Sequence, residues 1–63
     1  MKKFYQVEAW FYDNGKTKVY LHEVRAKEKP ENYFSEMPTV DIYCDHFTTE
    51  EEANAFIADL EKV

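Results

Sequence analysis

The hydrophobic residues concentrate in two runs, residues 4–12 and 17–25, both rich in Phe, Tyr, Trp and Val. Runs of that composition bounded by turn residues read as strands. Between the runs stands Asp13-Asn14-Gly15-Lys16, and Gly15 is the only glycine in the chain. Asn-Gly is the preferred pair for a two-residue type I′ turn, whose central positions both need positive φ. Such a loop sets Asp13 opposite Lys16, Phe11 opposite Lys18, Ala9 opposite Tyr20, Val7 opposite His22 and Tyr5 opposite Val24. One face then carries Tyr5, Val7, Ala9, Phe11, Tyr20 and Val24, the expected core. The other carries Phe4, Gln6, Glu8, Trp10, Tyr12, Val19, Leu21, Glu23 and Arg25, a mixed surface suited to being covered in an assembly.

Residues 26–38 break the pattern, with Pro30 and Pro38 bounding a charged stretch expected to be a loop. Tyr33, Phe34 and Met37 lie inside it, either tucked over the core edge or forming a contact tip. A third strand is expected at about Thr39–Asp45. Its Val40, Ile42 and Cys44 would join the core, leaving Asp41, Tyr43 and Asp45 on the outer face. The period then changes to that of a helix: Ala53, Phe56, Ile57 and Leu60 fall at i, i+3, i+4 and i+7, with Val63 extending the stripe. Glu50, Asn54, Ala58, Asp59, Glu61 and Lys62 take the outer side. Thr49 is a good N-cap, and Glu52 three residues on completes a capping box. The pattern predicts an α+β fold: a three-stranded antiparallel β-meander with one C-terminal α-helix packed on one face. It is expected to form one ββ-loop-βα domain over residues 1–63.

Size sharpens the picture. A 63-residue chain buries only about 60% of the surface its unfolded form exposes. Cores of this size rarely supply more than roughly 3–5 kcal/mol without disulfides, metal or oligomerisation. Cys44 is the only cysteine, so no internal disulfide is available, which leaves oligomerisation or tight packing as the staple. A lone thiol also fits a reducing, cytoplasmic setting. The segment after Met1-Lys2-Lys3 is too short and polar for a signal-peptide core, and no run approaches the roughly 20 apolar residues of a membrane helix.

Charge is uneven. Residues 1–26 carry Lys2, Lys3, Lys16, Lys18 and Arg25 against Glu8, Asp13 and Glu23, a net of +2. Residues 27–46 come to −3 and residues 47–63 to −4, for −5 in the whole chain. An acidic balance disfavours phosphate binding, because like charges repel before contact. It suits a basic protein surface, including one that normally holds nucleic acid. Glu50-Glu51-Glu52 complements the dipole at a helix start and also offers an acidic patch to a partner.

Candidate chemistry is sparse. Cys44 and His46 share one strand face, but Cys-x-His alone lacks the ligand count of a metal site, and no metal or other cofactor is expected. Ser35 is the only serine and has no glycine elbow or oriented histidine. A core-facing Cys44 lacks the electropositive, accessible setting of a thiolate nucleophile. The lone glycine serves the turn, so no phosphate-cradling loop remains. The expectation is therefore a binding protein and not an enzyme. Its interface residues are Phe4, Trp10, Tyr12, Val19, Leu21 and Tyr43; its partner-facing acids are Glu8, Glu23, Asp41, Asp45, Glu50 and Glu51. Aromatic rings on a sheet face also suit single-stranded nucleic acid. Trp10, Tyr12 and Tyr43 would stack bases, and Lys2, Lys3, Lys18 and Arg25 would meet phosphates.

Phe47-Thr48-Thr49-Glu50-Glu51-Glu52-Ala53, following the hairpin Trp10…Tyr12-Asp13-Asn14-Gly15-Lys16, resembles the three-strand-plus-helix domain at the N-terminus of phage and transposon integrases. That resemblance implies the same fold and a DNA-facing sheet, although acids replace several of the basic residues such domains use. In size, acidity and compactness the chain is also similar to small phage and mobile-element inhibitors of bacterial defence nucleases, the anti-CRISPR type. This second resemblance implies an acidic surface that occupies a nucleic-acid-binding site, or an oligomer that interferes with nucleic acid directly. The expected function is a small acidic, homo-oligomeric interaction protein of this inhibitory kind. The alternative is an oligomeric nucleic-acid binder.

Overall fold

A computed structural model describes residues 1–61; Lys62 and Val63, expected on the helix, lie outside them. The chain runs β1 (Lys2–Tyr12), β2 (Thr17–Ala26), β3 (Tyr33–Glu36), β4 (Val40–Phe47) and α1 (Glu50–Glu61). It is α+β, with an antiparallel sheet and one C-terminal helix, but the sheet has four strands in the order β2-β1-β4-β3. The three-stranded meander is thus corrected. The third long strand returns to pair with β1 instead of β2, and residues expected as loop supply the edge strand β3. β1 takes the centre because it is apolar on both sides: from Phe4 to Tyr12 none of its residues is exposed.

The β1–β2 register differs by one residue from the expected one. Tyr12 donates its N–H to the Lys16 carbonyl (2.9 Å), and Gly15 donates to Tyr12 (3.0 Å). The loop is therefore three residues, Asp13-Asn14-Gly15. Among the described residues no non-glycine residue has positive φ, and Gly15 sits at +87°, which excludes a type I′ turn. A tight turn followed by a left-handed glycine bulge is the usual three-residue solution, and Asn14 Oδ1 supports it by accepting the Lys16 N–H (3.0 Å). Asn-Gly accommodates either loop, so packing decides. The observed register sets Val19 opposite Ala9 and Leu21 opposite Val7, with Val24 opposite Phe4. Because side chains alternate, the one-residue slip turns every β2 side chain to the other face.

α1 lies against β1 and β4. Its stripe begins with fully buried Ala53 and continues through half-buried Phe56, Ile57 and Leu60. Thr49 caps it as expected: its hydroxyl accepts the Glu52 N–H (3.2 Å) and donates to the Glu52 carboxylate (3.1 Å), which Thr48 also reaches (2.9 Å). Phe47 leads into the helix and packs on Phe56, ring centroids 5.2 Å apart. Under the helix lie the odd-numbered residues of β1 and the β4 residues opposite them, Asp41, Tyr43, Asp45 and Phe47.

Val40 and Cys44 are buried as expected, but on the face away from the helix; Ile42, half-buried, shares it. The core therefore has two halves. Val7, Ala9 and Ala53 fill one side of the sheet, and Phe4, Val40, Cys44 and His46 the other. Residues 27–32 must travel from the β2 edge to the β3 edge, across β1 and β4, and Asn32 pins them by accepting the His46 N–H (2.7 Å). Phe4 and His46 face away from the helix yet are only 5% and 3% exposed.

Candidate functional site

The register sorts charge between the two faces. On the helix-bearing side the strands present Glu23, Glu36, Asp41 and Asp45, and α1 adds Glu50, Glu51, Glu52, Asp59 and Glu61, with no base in its last described turn. Lys3 and Arg25 are the strand cations on this side. Lys3 pairs with Glu23 at 2.8 Å, an exposed contact that holds the Glu23 carboxyl below its ordinary pKa and raises that of Lys3, by hydrogen bonding first and charge second.

A cleft of about 420 Å³ opens on this face between α1 and the sheet. Ala9, Phe11, Tyr43, Phe56 and Leu60 form its apolar walls, and Asp41 and Asp45 supply carboxylates. These two acids flank Tyr43 at i and i+4 of β4, so a strand rise of about 3.3 Å per residue sets their Cα atoms roughly 13 Å apart. Tyr43 is braced on two sides, edge-on by Phe11 (5.6 Å between centroids) and by Phe34 of β3 (4.7 Å). Its ring is held in place yet open to solvent.

The opposite face is aromatic. Tyr20 stacks on His22 (6.3 Å, 18°), meets Trp10 edge-on (6.3 Å), and Trp10 continues to Tyr12 (6.2 Å). Lys18 Nζ stands 5.9 Å over the Tyr12 ring, a cation–π contact. Glu8 is the one acid that the four strands turn to this face, and it is occupied, accepting the Trp10 indole N–H at 2.6 Å with the Cys44 sulfur 4.0 Å from its other oxygen. Tyr33 lies across from Cys44; hydrogen bonding to that sulfur first, and the Glu8 charge last, hold its phenol above the ordinary pKa.

Gln6 Nε2 and His46 Nε2 are hydrogen-bonded at 3.0 Å, and His46 Nδ1 is buried without a hydrogen-bond partner among the described residues. Burial, aided by the charge of Lys29 and partly opposed by Asp45, lowers the His46 pKa below 6.5. A depressed histidine contributes stability that is complete above 6.5 and is lost as pH falls through the folded-state value. Urea midpoints should therefore drop between pH 7.5 and pH 5, and His46→Gln should flatten that slope. Equal slopes in both proteins would show that His46 is not the group responsible.

The expected interface set is divided by these faces. Phe4, Trp10 and Tyr12 lie on the aromatic side, with Phe4 buried, while Val19, Leu21 and Tyr43 lie on the helix-bearing side. Of the acids, Glu8 is on the aromatic face and Glu23, Asp41 and Asp45 are on the other, the reverse of the expected mixture; Glu50 and Glu51 are exposed in the first helical turn. Tyr33 and Phe34 belong to β3 and point to opposite faces, and Met37 is exposed at the β3–β4 turn. Tyr20, expected in the core, is exposed on the aromatic face, while Val19 and Leu21 take the helix side. The signal for this was present: Val19 and Leu21 are the apolar pair of β2 that matches Val7 and Ala9 in parity. Among the described residues no three His, Cys, Asp or Glu side chains gather as a metal site, and no helix is long and apolar enough to cross a membrane. No protein-family model, no curated protein and no solved structure matches this chain.

Proposed function

We propose that this chain is a non-enzymatic binding protein that docks its acidic, helix-bearing face on a basic protein surface of the kind that holds nucleic acid, and so acts as an inhibitor of a nucleic-acid-handling enzyme. The one-sidedness of the acids carries the proposal: nine carboxylates share one side of a thin sheet, against two strand cations. Complementary potential of that kind selects partners and speeds encounter.

A second copy of the chain is expected at the β2 edge. Tyr12 bonds to Lys16 in the hairpin, while Asp13 donates to Thr39 beyond the β4 end. Antiparallel pairing alternates, so even positions of β2 face β1 and the odd ones, Thr17 to Arg25, turn their N–H and C=O groups to the open edge. Ten residues without proline or bulge make a pairing template, and Leu21, 39% exposed, sits at its middle.

The aromatic face supports a second role, binding single-stranded nucleic acid, because Glu23, Asp41 and Asp45 are absent from it and Lys18 and Lys2 border it. One experiment separates the two. Tagged protein in nuclease-treated bacterial lysate is expected to retain a nucleic-acid-handling protein and then to displace DNA from it in a gel shift. Tight, salt-sensitive binding of DNA by the chain itself, with no such displacement, would replace the first role with the second. Light scattering at high micromolar concentration should give about twice 7.6 kDa; a monomer would remove the edge pairing.

A further inference from the structure

The cleft beside α1 has a composition that narrows the partner's chemistry. Its walls are hydrocarbon and aromatic, its two charged groups are carboxylates, and no hydrogen bond or ion pair among the described residues joins Asp41 or Asp45 to a cation. A purely apolar ligand would leave both carboxylates desolvated and unpaired, which is costly. A small metal ion is ill served, because the two acids sit at separate ends with the Tyr43 ring between them. A long side chain with an apolar stem and a cationic head satisfies both parts of the lining.

We infer that the cleft takes arginine side chains from an extended segment of the partner protein, spaced four residues apart with an apolar residue midway. This rests on the acidic face being the docking surface. The pattern Asp41-x-Tyr43-x-Asp45 is matched by Arg-x-Leu-x-Arg, since both segments repeat at about 3.3 Å per residue and put alternate side chains on one face. Each guanidinium pairs with one carboxylate, and the apolar residue lies over Tyr43 between Phe11 and Phe34. Arginine is favoured over lysine because its planar head bonds a carboxylate through two N–H groups and stacks on a ring, whereas an ammonium offers only a point charge.

The test uses the full chain and acetyl-Arg-Thr-Leu-Thr-Arg-amide at physiological salt, followed by calorimetry and by backbone amide shifts in NMR. Binding should perturb the amides of Phe11, Asp41, Tyr43 and Asp45. The lysine version of the peptide should bind several-fold more weakly. Asp41→Asn with Asp45→Asn should weaken the arginine peptide about tenfold or more, the loss expected from one charge-assisted contact or two. Asp41→Asn and Asp45→Asn as single variants should each narrow the preference for arginine over lysine, and they serve if the double variant does not fold. An absence of binding overturns the inference. So does binding that survives these changes but is lost in Glu50→Gln with Glu51→Gln; in that case the acidic face still docks basic protein, and only the cleft is wrong. The docking face itself stands or falls on displacement of DNA from the captured enzyme.

Discussion

Phe4→Ala should leave most of the protein unfolded at 25 °C. Phe4 is 5% exposed on the side of the sheet that has no helix. Truncating a buried phenylalanine removes its transfer free energy and leaves a cavity, together about 3–5 kcal/mol. A domain of this size holds roughly 3–5 kcal/mol in all, so the loss is of the same order as the whole. Circular dichroism with urea titration measures it directly. If Phe4 were a rim residue of an interface, the variant would keep the wild-type midpoint and change only its assembly. That outcome would mean Phe4 is not part of the core on this side of the sheet.

Ala53→Leu should cost about 1–3 kcal/mol, the usual penalty for forcing extra methylenes into a filled site. Ala53 is fully buried where α1 meets the sheet, and a larger side chain must push the helix away. A twelve-residue helix is marginal in water without its packing partner, so helical signal should fall together with the denaturation midpoint. Ala55 and Ala58 are exposed on the same helix and provide the control. Leucine at either is expected to change stability by no more than about 0.5 kcal/mol. A similar loss at all three positions would point to altered solubility and away from docking.

These contrasts trace what local sequence encodes. The helix, its Thr49 cap and its Ala53–Leu60 stripe are legible because capping and a 3.6 period are properties of adjacent residues. The hairpin was legible as a hairpin but not in register. Asp13-Asn14-Gly15 closes as a two-residue or a three-residue loop, and the choice depends on Val19 and Leu21 meeting Ala9 and Val7. β4 is ambiguous for a related reason: Val40, Ile42 and Cys44 are apolar on one side, and Tyr43 and Phe47 on the other. Alternation therefore cannot say which side receives the helix. β3 is four residues between two prolines, and its strand character comes from pairing with β4 through the Met37–Val40 turn. The candidate surfaces inherit this. Their residues were nearly all identifiable as exposed or aromatic, while their grouping depended on one residue of register.

That grouping has a kinetic side. With carboxylates on one side of a molecule only about 12 Å thick and Lys2 and Lys18 toward the other, the chain carries a dipole moment roughly perpendicular to its sheet. In the field of a strongly charged surface such a particle is turned before it touches, so encounters begin in a preferred orientation. Dissolved salt shortens the reach of that torque to about 8 Å at physiological strength. Raising ionic strength should then slow arrival far more than it hastens departure, and the steepness of that slowing would report how completely the two faces keep their charges apart.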